Sequence, residues 1–541
     1  MRLNADAESV RVERSRDTLA RAGHVLTSPD TNRSRFRLAN FPEVRTYIAP
    51  LGEWMARQLR PIWGRLAIFL IVALVVRIST FGDPNLHPDE TFYLLVGHLM
   101  HQGELPYVDV WDRKPLGLFI IYYFFAAFPN PVIAYQIGAW LCTAVTALVI
   151  SEIVTRWVGL RGGVCSGLVY ILMLGPLHGF GGQSPVYYNA LIALAGLLVI
   201  LSIPELKEGQ VSARVYWAML AGGCAITVKQ TAFFESAFFG LFVAVLLFRS
   251  LGMNRKWFFQ CLALSGLGLL PSAFIIAAYI LNGHFFEFYH AMVTSNFVKP
   301  PPAPFSAVLR CYVTYLSIWV PLLTALSAMV LVYADERRNE AAFFILWMVA
   351  SIIGFVAVPN FYQHYALPLA VTISILAGYL YNRRILGGGL LVAAAGSLLY
   401  HYNPTVFVRT KYSIASMDRL VADVKETEGN GGLFVFDGPP LLYYFVGEKP
   451  PSPLAFPMHF NHALETDASH LKTHEELARV LGRRPGSIVM SVVVRNLPAD
   501  FVSRRMVRNY VDTNCRLVDL IETFEILRTD LLAVYGNCNK S

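Results

Sequence analysis

Charge is scarce in this chain. Asp, Glu, Lys and Arg make up only 15% of its 541 residues, against 55% hydrophobic ones, and the mean hydropathy is +0.46. An ordinary soluble domain carries about 25% charged residues, so a soluble enzyme is excluded and a polytopic membrane protein is implied. The Met1 end lacks the apolar core of a signal peptide. Cysteine is sparse as well: of seven, Cys142, Cys165, Cys224, Cys261 and Cys311 fall in or beside apolar segments, where a thiol behaves as a small hydrophobe. Only Cys515 and Cys538 look pairable. There is no internal repeat, and no low-complexity tract beyond the short cluster from Pro300 to Pro304.

The formal net charge is +8 and the pI is near 9.0. The basic residues do not form a nucleic-acid face; they lie in an Arg-rich N-terminal tail and in short loops between apolar runs, as the positive-inside rule requires. Residues 1–61 read as a largely disordered cytoplasmic tail, with an interfacial or merely solvated helix at its end. Apolar runs at about 62–81, 131–155, 162–182, 185–204, 216–229, 231–248, 257–281, 311–333, 341–358, 364–381 and 385–401 predict eleven crossings. Residues 115–128 are apolar but too few to span, and are placed along the membrane surface. With the N-terminus inside, alternate loops carry Arg156 and Arg161, Lys207 and Arg214, Arg249 with Arg255 and Lys256, Arg337 and Arg338, then Arg383 and Arg384. That parity requires the apolar run around Lys229 and Gln230 to break into two helices.

After about residue 401 the composition turns soluble. LFVFDG, SIVMSVVV and LLAVYG read as buried strands alternating with helical patterns, so residues 402–541 are expected to form a small extracytoplasmic α/β domain. Cys515 and Cys538 either bridge in that oxidising compartment or stay reduced.

The chemistry concentrates in one island, HPDETFYLLVGHLMHQGELPYVDVWDRKPLGL, from His87 to Leu118. On the outer face, sugars arrive on polyprenyl phosphates, which are competent leaving groups. Transfer then needs a carboxylate near the acceptor hydroxyl and cations for the departing phosphate. Asp89, with Glu90, supplies the first at the start of a predicted helix; Lys114 and Arg113 supply the second. Acids at a helix N-terminus also serve the dipole without chemistry, and basic residues also anchor surface helices. Arg77, inside the outer end of the first span, is costly there unless it pairs or faces water, which makes it a candidate partner of Asp89 or of phosphate. Lys229 draws the same reading as a substrate contact. His364 and Tyr365, in NFYQHYALP, are candidate phosphate or sugar contacts, and Tyr107, Asp112 and Gln183 are further candidate substrate contacts. The loop from Asn282 to Arg310, with His284, Glu287, His290 and Lys299, reads as a lid or a plain surface helix. His87, His98 and His101 with the two acids are either metal ligands or interfacial histidines. A divalent ion is one way to neutralise the phosphate, and a lysine clamp is another.

The order of DE after the first span, PYVDVWDRKPLG, and NFYQHYALPLA near a late span resembles the bacterial relatives of the protein O-mannosyltransferases and the lipid A aminoarabinose transferases, members of the GT-C superfamily. The resemblance covers roughly residues 62–400. It implies an inverting transfer from a polyprenyl-phosphate sugar, with Asp89 in the place of the catalytic carboxylate and Lys114 in that of the phosphate-binding lysine. The aminoarabinose transferases usually carry glutamate before that lysine; here Arg113 stands there and Asp112 one earlier. Gln183 and Asn189 occupy positions where relatives often have a polar or acidic pair.

The expectation is therefore a mainly α, multi-pass glycosyltransferase of a bacterial inner membrane, acting on lipid A or another glycolipid, a cell-envelope polysaccharide or a protein. The rival reading is a lipid-linked-sugar transporter or flippase. Transporters place ionisable or helix-breaking residues near the midplane of paired halves, whereas here they gather outside the membrane and no half repeats.

Overall fold

Each of the eleven apolar segments forms helix in the computed structural model, which describes residues 57–298, 303–333, 335–358, 360–401, 406–494, 498–525 and 529–538. The first 56 residues, with most of the expected interfacial helix, and Lys299 lie outside those described. Among the described residues, seven helices are long and apolar enough to cross a membrane: Ile62–Thr80, Pro131–Trp157, Ser184–Leu201, Ala232–Leu251, Arg255–Leu281, Gln363–Tyr381 and Arg384–His401. An eighth is a bent pair, if that pair is one span.

The count of eleven is thus larger than length and composition support. Leu160–Leu174, Ala213–Val228 and Glu340–Val356 are apolar but shorter than a full crossing; a 16-residue helix rises about 24 Å against a hydrocarbon core of about 30 Å. The sequence explains two of these endings. Gly175 caps the first and Pro176 follows it, and a proline disfavours helix in the residue before it. Ala213–Val228 stops where Lys229 turns extended, and Ala232–Leu251 begins three residues on, so the apolar run around Lys229 does hold two helices. The segment expected as one span over 311–333 is instead two helices, Pro304–Ser317 and Trp319–Tyr333, bent by 79°. Pro321 has no amide to give the carbonyl of Ser317, and its ring crowds that carbonyl, so the helix breaks at Ile318.

Burial orders the bundle. The Gln363–Tyr381 window is 89% buried and forms its centre, while the Arg255–Leu281 window, 6% buried, is almost bare; a helix apolar all round and unburied by protein is one that lipid must cover. Leu116–Ala126 is the short helix expected after the island. It packs on Pro88–His101, where Gly97 lets the Tyr122 backbone approach so closely that a Cβ would collide with it.

Beyond His401 the chain builds a four-stranded sheet: β1 (Leu433–Val435), β2 (Ser487–Ser491), β3 (Arg516–Phe524) and β4 (Thr529–Gly536), in the order β1-β2-β4-β3. β1 and β2 run parallel, while β4 is antiparallel to both β2 and β3. The three apolar runs become β1, β2 and β4. β3 was not expected: it is an edge strand with mostly exposed residues, so it carries no continuous apolar run. Cys515, just before β3, and Cys538, just after β4, are bridged. Helix Val406–Thr427 packs on β3 and β4, and Thr473–Gly482 and Phe501–Asn514 pack on each other. The first is joined to the end of the first span by Asp83, which accepts from the Ser413 hydroxyl at 2.5 Å, while the Thr410 hydroxyl donates to the Ser79 carbonyl at 2.6 Å.

Candidate functional site

Asp89 is placed by a helix start written into HPDE. Pro88 takes the first helical position, where its missing amide is harmless, and His87 caps the helix with Nδ1 accepting from the Asp89 amide at 3.2 Å. Gln183 Nε2 lies 2.9 Å from the same Nδ1. The cap is therefore His87 rather than a carboxylate, and Asp89 is left to face a cavity of about 780 Å³.

Lys114 lines the same cavity from the other end of the island. Its loop is held from several sides. Tyr107 sits at φ 73°, a conformation that costs a non-glycine residue about 1–3 kcal/mol, and donates its hydroxyl to the Lys114 carbonyl at 2.8 Å. Gln230 Nε2 donates to the Arg113 carbonyl at 3.0 Å, the Tyr279 hydroxyl to the Pro106 carbonyl at 3.0 Å, and the Trp111 amide to the Pro453 carbonyl at 2.8 Å. With its backbone pinned, the Lys114 ammonium stands 4.0 Å from Asp112 Oδ2 and 5.3 Å from the Tyr93 ring centre.

The electrostatics follow from this packing. Burial alone raises the Asp89 carboxyl, but Lys114, His87 and Lys229 outweigh it and hold the group below the usual carboxylate range. Burial likewise pulls Lys114 down, and Asp112, Tyr93 and Asp89 more than reverse it, so the ammonium lies well above an ordinary lysine. A carboxylate and an ammonium are thus both charged at neutral pH in one cavity. Glu90 goes the other way, because burial pushes it up to about 8.

The cavity also takes in Arg113, Asp112, Lys229, His364 and Tyr365. His364 Nε2 is 3.9 Å from Asp89 Oδ2, and Lys229 lies over the Tyr365 ring at 4.2 Å. Five of the residues singled out in the sequence are placed behind the lining instead. Glu90, 1% exposed, packs against Gly181, where a Cβ would collide with its carboxylate. Arg77 donates to the carbonyls of Phe180 at 2.6 Å and Gly179 at 2.7 Å, which shapes the loop against Glu90. Tyr107 and Gln183 brace Lys114 and His87. Asn189 is buried and donates to the Leu367 carbonyl at 3.1 Å. Of the 282–310 loop, Met292, Val293, Asn296 and Phe297 line the cavity, while His284, Glu287 and His290 do not.

No group of three or more His, Cys, Asp or Glu is set to hold a metal ion among the described residues. His101 contacts the Tyr123 carbonyl at 2.9 Å and His98 the Gln102 amide at 2.9 Å, so neither joins Asp89. The sequence reading missed His178, which lines the cavity at φ 58°. It also missed the tail's contribution of Asp437, His459, Glu465, Glu525 and Asp530. No local pattern marks those five, because only the tertiary fold carries them over the island.

This arrangement of helices, the loop after the first span and the tail is similar to the GT-C fold. The solved structure of ArnT from Cupriavidus metallidurans bound to undecaprenyl phosphate matches with a TM-score of 0.57 at 14% identity, over 88% of this chain and 98% of that one. The same protein in its apo state matches with a TM-score of 0.56 at 15% identity, over the same shares. No protein-family model and no curated protein matches the chain.

Proposed function

We propose that the chain is an inverting glycosyltransferase that moves a sugar from a polyprenyl-phosphate donor to a cell-envelope acceptor at the outer face of the cytoplasmic membrane. The observation that carries this reading is the meeting of Asp89, Lys114, Lys229 and His364 in one cavity beside apolar helices. Asp89 takes the proton of the acceptor hydroxyl as that oxygen attacks the anomeric carbon; the carbon–phosphate oxygen bond breaks and the electron pair leaves with the phosphate. Lys114, assisted by Arg113 and Lys229, stabilises the charge that builds on the leaving phosphate. Glu90 and Arg77 act from behind, by fixing the loop against which the helix start rests. The likeness to ArnT with bound undecaprenyl phosphate supports a prenyl-phosphate ligand. The sheet of the tail is read as an extracytoplasmic domain closing the cavity, with the N-terminus in the cytoplasm. The acceptor is a glycolipid such as lipid A, a polysaccharide or a protein.

The test is sugar transfer from a panel of radiolabelled undecaprenyl-phosphate sugars into membrane acceptors, comparing wild type, Asp89→Asn and Lys114→Ala at equal expression. Transfer by wild type and its loss in both variants supports the reading. Undiminished transfer by either variant removes that residue from the mechanism.

A further inference from the structure

The cavity has two chemically different sides. From the membrane part come the basic side chains Arg113, Lys114 and Lys229; from the tail's sheet come carboxylates, Asp437 just after β1, Glu525 just after β3 and Asp530 within β4. Asp437 Oδ2 stands 3.7 Å from Arg504, and Asp530 Oδ1 accepts from the Ser491 hydroxyl at 3.1 Å and the Leu531 amide at 2.9 Å. Carboxylates alone do not define a site. The second observation is Asn85, which lines the same cavity and is only 3% exposed. Its Nδ2 donates to the Phe524 carbonyl at 3.4 Å, which orients the amide, and its Oδ1 has no hydrogen-bond partner among the described residues. A buried acceptor left unpaired costs about 1–3 kcal/mol, so this oxygen asks for a donor from outside the chain. His459, 4% exposed, also has an Nδ1 without a hydrogen-bond partner among the described residues.

A wall made of acceptors selects a ligand rich in donors and repels phosphate. Sugar hydroxyls meet that demand: each donates one hydrogen bond, and neighbouring hydroxyls reach both oxygens of one carboxylate. Phe456, on the same cavity, offers an aromatic face for the apolar side of a pyranose ring. We propose that Asn85, Asp437, Glu525 and Asp530 form a subsite for a polyhydroxylated sugar ring, distinct in chemistry from the phosphate-binding side. This rests on the glycosyltransferase reading above. The ring is either the donor's own sugar or that of the acceptor.

The experiment uses the full chain purified in detergent, probed with methyl glycosides by saturation-transfer NMR and, separately, with undecaprenyl phosphate. The expected result is glycoside binding by wild type that weakens about tenfold in Glu525→Gln and in Asp437→Asn. Undecaprenyl phosphate binding and the melting temperature of Glu525→Gln, a half-buried position, stay unchanged. Displacement of the glycoside by undecaprenyl-phosphate sugars, but not by undecaprenyl phosphate, assigns the ring to the donor; its retention assigns it to the acceptor. Wild type that binds undecaprenyl phosphate but no glycoside overturns the subsite and leaves the glycosyltransferase reading standing. Binding equally strong in both variants also overturns it, and wild type that binds neither probe overturns both.

Discussion

The imidazole of His364 holds its Nε2 3.9 Å from Oδ2 of Asp89, a contact of charge and dipole rather than a hydrogen bond. The two residues are 275 positions apart in the chain, on the helix start after the first span and at the start of a late one. His364 therefore does not take up Asp89 Oδ2 in a hydrogen bond, and both residues line the cavity. Asp89→Asn keeps the shape and removes the base, and is expected to lower sugar transfer by about 10²–10⁴-fold. His364→Gln keeps a polar group and is expected to cost about tenfold, near 1.4 kcal/mol. Single-turnover transfer in membranes checks both, and a His364 effect as large as that of Asp89 would give His364 the proton instead.

Lys114 separates a charge role from an anchoring role. Its backbone carbonyl is held by Tyr107, so the loop does not depend on the ammonium. Lys114→Ala is expected to lower kcat by about 10²–10³-fold, with a lower melting temperature because Asp89 and Asp112 lose a counter-charge. Tyr107→Phe removes the brace, costs about 1 kcal/mol of stability and shifts activity only modestly. Should Lys114→Ala melt lower and keep its turnover, the lysine is an anchor.

Much of this was legible from local pattern. Apolar runs became helices, the 33-residue run broke at Lys229, and HPDE started a helix because proline and a polar cap have only local requirements. What escaped was set at long range or by a single unweighed residue. Pro321 bends a segment that hydropathy reads as one span. Arg77 looked like a phosphate ligand because a buried cation needs partners, and its partners prove to be carbonyls 102 and 103 residues away. Asp437, Glu525 and Asp530 sit in unremarkable strand-end sequence, and only the order β1-β2-β4-β3 gathers them.

Glu90 sets a pH dependence. Burial pushes its carboxyl from the ordinary 4.5 up to about 8, so between those values the folded chain holds a proton that the unfolded chain has lost. Its stabilising contribution is complete below pH 4.5 and drains away as the pH rises through about 8. Glu90→Gln imitates the protonated form. The melting temperature of wild type in detergent is therefore expected to fall between about pH 6.5 and 8.5, and that of Glu90→Gln to fall less. Asp83, pushed up to about 6 by burial, has the same sign but finishes titrating lower, and the difference between wild type and Glu90→Gln cancels the other groups that titrate in this window. Equal declines in the two proteins would mean that Glu90 is ionised in the fold.

Arg113 takes the position before the lysine where the aminoarabinose transferases usually have glutamate, and it donates to Glu465 of the tail. The pair is largely shielded, at 16% and 5% side-chain exposure, and joins the island to the tail beside the cavity. Removing one member strands the other charge, so Glu465→Gln and Arg113→Met alone are each expected to cost about 3–5 kcal/mol. The double variant removes both charges and is expected to recover part of that loss, because neither partner is then left unpaired. Since Gln230 holds Arg113 by its backbone, the loop keeps its course in all three variants. A double-mutant cycle on melting temperature measures the coupling, and additive losses would show that each residue acts through other partners.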